Sequence, residues 1–172
     1  MRFRAVRVCL AIAVAVVALP PVAMPAHLAS ASQFGVGPEY VWPVVGPIVN
    51  PFDPPARPWL PGHRGVDLSA PASSPVRAAA AGVVWFAGQV ATRPVVSIAH
   101  PNGTRTTYEP VQPVVEVGDE VSAGDIIGLL QAGHAGCHEP CLHWGLRQGE
   151  AYLDPLSLLG LARVRLLPTP AT

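Results

Sequence analysis

The sequence contains one combination of side chains that suits a catalytic metal ion. His63 lies four residues before Asp67, and His143 lies much later in the chain, on a predicted strand. Two imidazoles and one carboxylate are a common ligand set for catalytic zinc, which takes three protein ligands and keeps a fourth position for water. The spacing alone leaves the alternative open, because H-x-x-x-D occurs often by chance and single histidines are more often surface or core residues.

These residues must be positioned by a fold that is rich in turns. The chain has 172 residues, of which 21 are proline, 16 are glycine and 13% are charged. Frequent proline and glycine favour short extended segments over long helices, and the length admits one domain with a hydrophobic core. We therefore predict an all-β fold, with a single compact domain over residues 41–160.

Short apolar runs bounded by glycine and proline mark the strands. Asn102-Gly103 between two apolar runs predicts a hairpin that joins residues 95–100 to residues 104–108. Asp154 followed by Pro155 predicts the N-cap and first position of a brief helix. The other predicted strands are residues 42–49, 65–68, 75–79, 82–89, two strands within 114–130, and 142–147.

The N-terminus has the pattern of an export signal. Three arginines precede an apolar run at residues 8–19, which is too short to cross a bilayer, and small residues follow it. We expect residues 1–31 to be a signal peptide, with cleavage after Ala26 or an uncleaved anchor as alternatives. Residues 32–40 then form a linker, residues 161–172 a C-terminal tail, and the domain is secreted or associated with the cell envelope.

Charge gives no indication of a nucleic-acid partner. Eleven positive residues, all arginine, balance eleven acidic residues, so no net electrostatic attraction to nucleic acid or acidic lipid is expected. We expect a monomer that binds no nucleic acid.

Cys137 and Cys141 are predicted to form one small disulfide loop, because two nearby cysteines in an oxidising compartment commonly pair. The alternative is that Cys141 acts as a thiolate beside a zinc ion, as a fourth ligand that closes the site.

Motifs in a fixed order along the chain resemble the lysostaphin/LytM family of zinc endopeptidases, which cut peptide cross-links in peptidoglycan. The resemblance covers residues 42–159. The matching segments are Trp42-Pro43-Val44-Val45-Gly46, His63-x-Gly65-x-Asp67, Gly82-Val83-Val84, Thr107-Tyr108, Val117-Gly118-Asp119, Leu142-His143 and Asp154-Pro155. The resemblance implies a compact antiparallel β-sheet and barrel-sandwich hybrid fold of the LytM type, with peptidoglycan stem peptides or cross-bridges as substrates.

The resemblance also implies that His63, Asp67 and His143 are the zinc ligands. Two catalytic histidines of the family are replaced, one by Cys141 and the other by Pro110. Since general acid–base help contributes on the order of 10²–10⁴-fold, a substitute is needed for full activity.

Glu109 is the candidate substitute base, because a glutamate near a zinc-activated water serves this purpose in other metallopeptidases. Strand alternation opposes it: if Tyr108 and Pro110 point to one face, Glu109 points to the other, towards solvent. His134 and His138 are interpreted as exposed loop residues.

Two functions follow. The first is a zinc metalloendopeptidase acting on peptidoglycan. The second is a catalytically reduced module that keeps zinc and binds peptidoglycan or regulates another cell-wall hydrolase. A third interpretation, a biotinyl or lipoyl carrier domain, is excluded because the chain has no lysine to carry the cofactor.

Overall fold

The computed structural model describes residues 39–57 and 59–161. The predicted signal peptide, most of the linker and nearly all of the C-terminal tail lie outside these residues. Within them, no helix is long and apolar enough to cross a membrane.

Antiparallel strands make up nearly all of the regular structure, which confirms the predicted all-β fold. The strands are β1 (Ile48–Asn50), β2 (Gly65–Ser69), β3 (Pro75–Arg77), β4 (Gly82–Val90), β5 (Arg93–Ala99), β6 (Thr104–Glu109), β7 (Val111–Pro113), β8 (Glu120–Val121), β9 (Ile126–Leu130), β10 (Cys141–Gln148) and β11 (Ala151–Leu153).

The strands form two sheets. The larger has the order β1-β2-β10-β6-β5-β4-β8, with β11 paired to β10, and the smaller has the order β3-β9-β7. Across the described residues the larger sheet runs from β1 to β8 without closing on itself.

The hydrophobic core contains residues from both sheets. Alternate residues of β10, among them Leu142 and Trp144, are almost fully buried, and so is Tyr108 of β6. The hydroxyl of Tyr108 accepts a hydrogen bond of 2.8 Å from the backbone N–H of Ala79. Since successive residues of a strand point to opposite faces, His143 must lie on the other face of the sheet from Leu142 and Trp144.

The predicted hairpin and helix cap are both present. β5 and β6 pair in register, and Gly103 between them has φ +79°, a conformation that suits glycine. The Asp154 carboxylate accepts a hydrogen bond of 2.9 Å from the N–H of Leu156, capping a 3-10 helix over Pro155–Leu159.

One strand prediction was wrong and two strands were missed. The first strand is only β1, because the preceding prolines interrupt a regular ladder: Pro43 and Pro47 carbonyls accept hydrogen bonds from Arg77 and Ser69 instead. Strands β7 and β11 were not predicted: β7 pairs with β9, and β11 pairs with the end of β10 after a tight turn.

Candidate metal centre and groove

Three predicted ligands converge on the face of the larger sheet that points away from the core. His63 Nε2 lies 3.0 Å from Asp67 Oδ1 and 3.0 Å from His143 Nδ1. His143 Nδ1 lies 2.9 Å from the same Asp67 oxygen. These three atoms form a nearly equilateral triangle, which we call the ligand triangle.

Strand register brings two of the three together. Asp67 and His143 are directly opposite each other on β2 and β10. The approach is close: a Cβ added to Gly65, two residues before Asp67, would lie 2.7 Å from His143 Nε2 and 2.5 Å from the Trp144 carbonyl oxygen. Glycine at this position therefore leaves the space that the imidazole of His143 occupies.

His63 reaches the triangle from a proline-rich loop. An isolated bridge pairs it with Asp53, and its Nδ1 lies 2.7 Å from the Pro51 carbonyl oxygen. A carbonyl can only accept, so Nδ1 carries the proton and donates it there. In the neutral imidazole, Nε2 then presents its lone pair to the triangle.

Hydrogen bonds fix the Asp67 carboxylate, which is almost fully buried. Asn50 Nδ2 donates to Oδ2 at 2.8 Å, while the imidazoles surround Oδ1. Burial alone would raise the pKa of Asp67, but hydrogen bonds from His134, His143, His63 and Asn50 outweigh it and hold the pKa well below its usual range. The carboxylate is therefore ionised.

The triangle fits a metal ion by the chemistry of its donors. A lone pair of His63 and an ionised oxygen of Asp67 face each other at 3.0 Å, an arrangement that only a proton or a cation between them stabilises. A tetrahedral ion with bonds of about 2.0–2.1 Å separates its ligand atoms by roughly 3.3 Å, close to the spacing found here.

A fourth imidazole lies against the triangle, and it was missed. His134 Nε2 is 3.4 Å from Asp67 Oδ1, its ring stacks on that of His143 with 5.0 Å between centroids, and only 9% of its side chain is exposed. The interpretation of His134 as an exposed loop residue was wrong. His138, in the same loop, is exposed as predicted.

Glu109 also faces the site. It lies directly opposite His143 in the β6–β10 pairing, and its Oε1 is 3.5 Å from His134 Nδ1 and 2.8 Å from Arg93 Nη1. Strand alternation correctly predicted that the Glu109 side chain points to the face of the sheet away from Tyr108. The inference that this face was bare solvent was wrong, because the ligand triangle lies on the same face.

Electrostatic interactions link His134 and Glu109. Interaction with Asp67 and then with Glu109 raises the pKa of His134 to about 9. The hydrogen bond from His134, with the nearby charge of Arg93, lowers the pKa of Glu109. Glu109 is thus ionised and oriented towards the Nδ1 side of His134.

The loop that carries His134 is tied down at several points. Cys137 and Cys141 form a disulfide, so Cys141 is not available as a thiolate ligand. The backbone N–H of Gln131 donates to the Pro110 carbonyl, and Asn50 Nδ2 donates to the Gly136 carbonyl. These contacts hold His134 over β10, beside Asp67 of β2 and Glu109 of β6. The sequence signal was present in Gly133-His134-Ala135-Gly136, where small neighbours let a histidine fold inwards, but sequence spacing does not reveal which surface it meets.

A groove of about 420 Å³ extends from the triangle along β6 and β10. Its lining includes His63, Glu109, His134 and His143 at one end, and Arg105, Arg147 and Tyr152 at the other. Clefts of this kind commonly bind ligands, and the ligand triangle lies at one end of this one.

This fold and site define a metallopeptidase-like domain. The model of peptidase family M23 matches residues 61–155, and the chain belongs to that family.

An uncharacterized protein of Mycobacterium tuberculosis is 50% identical over 153 residues, a stretch covering 85% of this chain and 59% of that protein. The DD-carboxypeptidase/endopeptidase Mpg of Neisseria meningitidis is 34% identical over 110 residues, covering 63% of this chain and 24% of Mpg. The solved structure of lysostaphin, the antimicrobial peptidase of Staphylococcus simulans, superposes with a TM-score of 0.51 at 28% identity, over 64% of this chain and 51% of that one. The chain thus spans about three-fifths, or less, of the length of these relatives.

Proposed function

We propose that this protein is an exported zinc metalloendopeptidase that hydrolyses peptide bonds of peptidoglycan. The observation that carries the proposal is the ligand triangle, with a fourth imidazole and a carboxylate beside it. Membership of family M23 and the similarity to Mpg and lysostaphin support peptidoglycan peptides as the substrate class. The N-terminal pattern of basic and then apolar residues supports export.

His63, Asp67 and His143 would hold the ion. When bound, zinc supplies Lewis acidity, polarising the scissile carbonyl and lowering the pKa of water.

His134 is placed to receive the proton of the attacking water. Its Nδ1 lies on the side of the Glu109 carboxylate and its Nε2 faces the ligand triangle, and as a base it would act in the neutral form, with the proton on Nδ1. Glu109 would favour this tautomer, as a carboxylate orients the histidine of a hydrolase triad, and Arg93 lies 2.8 Å from Glu109 in turn. The pair would replace the two imidazoles that the family carries at the positions of Pro110 and Cys141.

The second candidate is a zinc-keeping module that binds peptidoglycan or regulates another hydrolase. The observation that favours it is again His134, because its Nε2 lies within ligand distance of the other three donors and could close the site as a fourth ligand. The two functions differ in whether a coordination position stays open.

The test combines metal content with the release of soluble peptides from purified peptidoglycan. We expect about one zinc per chain and peptide release by the wild type, and loss of both in His143→Ala. His138→Ala, on an exposed side chain of the nearby loop, is the control and retains both. Stoichiometric zinc without peptide release would favour the binding or regulatory function, and a protein without zinc would contradict both.

A further inference from the structure

The groove floor continues past the metal centre in a regular series of cross-strand pairs. From the triangle outwards, His143 is opposite Glu109, Gly145 is opposite Thr107, and Arg147 is opposite Arg105. Each pair is two residues further along both strands, so all three lie on the same face. Four residues of β10 separate the first pair from the last, a distance of roughly 13 Å at about 3.3 Å per residue.

The middle of this floor has a glycine on β10. Gly145 has no side chain, and a Cβ placed there would meet its nearest atoms only at 3.7 Å or more. No side chain of β10 therefore stands in the groove between the ligand triangle and the two arginines, and Gly145 itself is buried.

Positive charge is concentrated at the far end of the groove. The arginines among the described residues are Arg57, Arg64, Arg77, Arg93, Arg105 and Arg147, and four of these six line the groove. Among the described residues that line the groove, Glu109 supplies the single carboxylate outside the ligand triangle. Arg93 already contacts that carboxylate.

Arg105 and Arg147 are directly opposite each other, an arrangement of like charges that destabilises a sheet when nothing neutralises it. Arg147 Nη2 lies 3.2 Å from Glu150, but that carboxylate is fully exposed and such pairs contribute little. Among the described residues no carboxylate pairs with Arg105, and its buried Nε has no hydrogen-bond partner. The pair is thus incompletely neutralised by the chain itself.

Aromatic rings fix both guanidinium groups. Arg105 lies 5.8 Å from the centroid of the Trp85 ring, and Arg147 lies 5.6 Å from that of Tyr152. Contacts with an aromatic ring use the face of a guanidinium and leave N–H donors at its edge, which are the groups that bind a carboxylate in bidentate fashion.

We infer that Arg105 and Arg147 form a subsite for a free carboxylate of the substrate, about 13 Å from the scissile carbonyl. This inference rests on the proposed function and narrows it: the preferred substrates are acidic stem peptides, and cross-bridges made of neutral residues are poor ones. An extended peptide advances by at most about 3.3–3.6 Å per residue, so the carboxylate is carried about four residues from the cleaved bond, or fewer when it ends a long side chain.

The test uses one preparation of soluble muropeptides in two forms, the free acid and the same material with its carboxylates converted to amides. For the wild type we expect the KM of the acid form to be about tenfold lower than that of the amide form, with a similar kcat. Arg105→Gln and Arg147→Gln should each raise the KM for the acid form and leave the KM for the amide form unchanged. The amide form therefore also reports that each variant is folded.

Arg57→Gln is the matched control, because Arg57 is an exposed arginine that also lies against an aromatic ring, Trp59, outside the groove. It should retain the full preference for the acid form. Equal KM values for the two forms in the wild type would overturn the subsite while leaving the peptidase intact. The subsite is also overturned if the preference for the acid form persists in both groove variants. It is overturned as well if the arginines bind inorganic phosphate while the acid and amide forms of the peptide are not distinguished.

Binding of the two forms to His143→Ala, measured by calorimetry, separates this inference from the proposed function. If no form of the protein cleaves muropeptides but the free acid still binds about tenfold more tightly, the peptidase proposal fails and the subsite stands. If neither form shows an arginine-dependent difference in binding, the subsite fails whatever the catalytic result.

Discussion

At the scale of single residues, the site is defined by which nitrogen of each imidazole carries a proton. The Pro51 carbonyl fixes the proton of His63 on Nδ1, and the Glu109 carboxylate lies 3.5 Å from Nδ1 of His134. Both rings therefore aim Nε2 at the Asp67 carboxylate. One of them is a predicted ligand, and the other is the group that we propose as the base.

His134→Gln tests that assignment. We expect kcat for peptidoglycan hydrolysis to fall on the order of 10²–10⁴-fold, the usual contribution of a general base, with zinc content unchanged. Turnover and bound zinc are measured on the same preparation, with the exposed neighbour His138→Gln as the control. A variant that loses zinc, or that becomes more active, would identify His134 as a fourth ligand instead.

His100 gives a prediction about pH at this scale. Its Nδ1 lies 2.8 Å from the Ala81 carbonyl and its Nε2 lies 2.8 Å from the Thr106 hydroxyl, so the buried ring is held neutral, donating to Ala81 and accepting from Thr106. Burial lowers its pKa, although the hydrogen bond to Ala81 opposes the change. The unfolded chain, with a pKa of about 6.5, therefore takes up a proton first as the pH falls.

The stabilisation by His100 is complete above about pH 6.5 and declines as the pH falls towards the lowered pKa of the folded state. At pH 8 we expect His100→Gln to reduce the free energy of unfolding by about 1–3 kcal/mol, since it disturbs buried hydrogen bonds. Urea denaturation between pH 8 and pH 5 should show this difference shrinking. A difference that stays constant or grows towards low pH would contradict the assignment.

At the scale of elements, the sequence predicts best what neighbouring residues decide. The turn at Asn102-Gly103 and the cap at Asp154 depend on local backbone chemistry, and both are present. Strand β11 depends on pairing with β10, and its short, partly exposed sequence has no strong alternation of its own. Pairing with β10, and not the local sequence, makes this segment a strand.

The same division applies to the site. His63, Asp67 and His143 were predicted as ligands on spacing and on family resemblance, and the structure brings them together through the register of β2 and β10. The place of His134 follows from a loop whose path depends on distant contacts with Asn50 and Pro110. Spacing in the sequence could not reveal it.

The loop at residues 131–140 yields a prediction about its disulfide. Closing so short a loop stabilises by about 2 kcal/mol or less, so Cys137→Ala combined with Cys141→Ala should fold and bind zinc. Its turnover should fall at least tenfold, because His134 loses one of the constraints that hold it beside Asp67. Peptide release is compared with and without reductant: the wild type should lose activity on reduction, and the double variant should not respond. Full activity in the double variant would show that the disulfide does not position His134.

At the scale of the whole molecule, the larger sheet separates stability from chemistry. Leu142, Trp144 and Tyr108 fill the core on one face, while His143 and Glu109, their neighbours in sequence, face the groove on the other. Changes in the groove need not disturb the core. Asp67 is the exception, because its carboxylate is buried and surrounded by imidazoles. Without a cation, this carboxylate and the ligand nitrogens would face one another, which lowers stability.

Metal removal should therefore lower stability without dissolving the fold. A ligand present at about a hundred times its Kd stabilises the native state by about 2.7 kcal/mol, which for a domain of this size corresponds to roughly 10 °C in Tm. We expect a chelator to lower the wild-type Tm by about that amount while leaving the β-type circular dichroism below the transition unchanged. His143→Ala, which lacks one corner of the ligand triangle, should show a much smaller shift with the same chelator. An equal shift in both proteins would mean that the metal binds elsewhere, and no shift in the wild type would show that the triangle contributes no metal-linked stability.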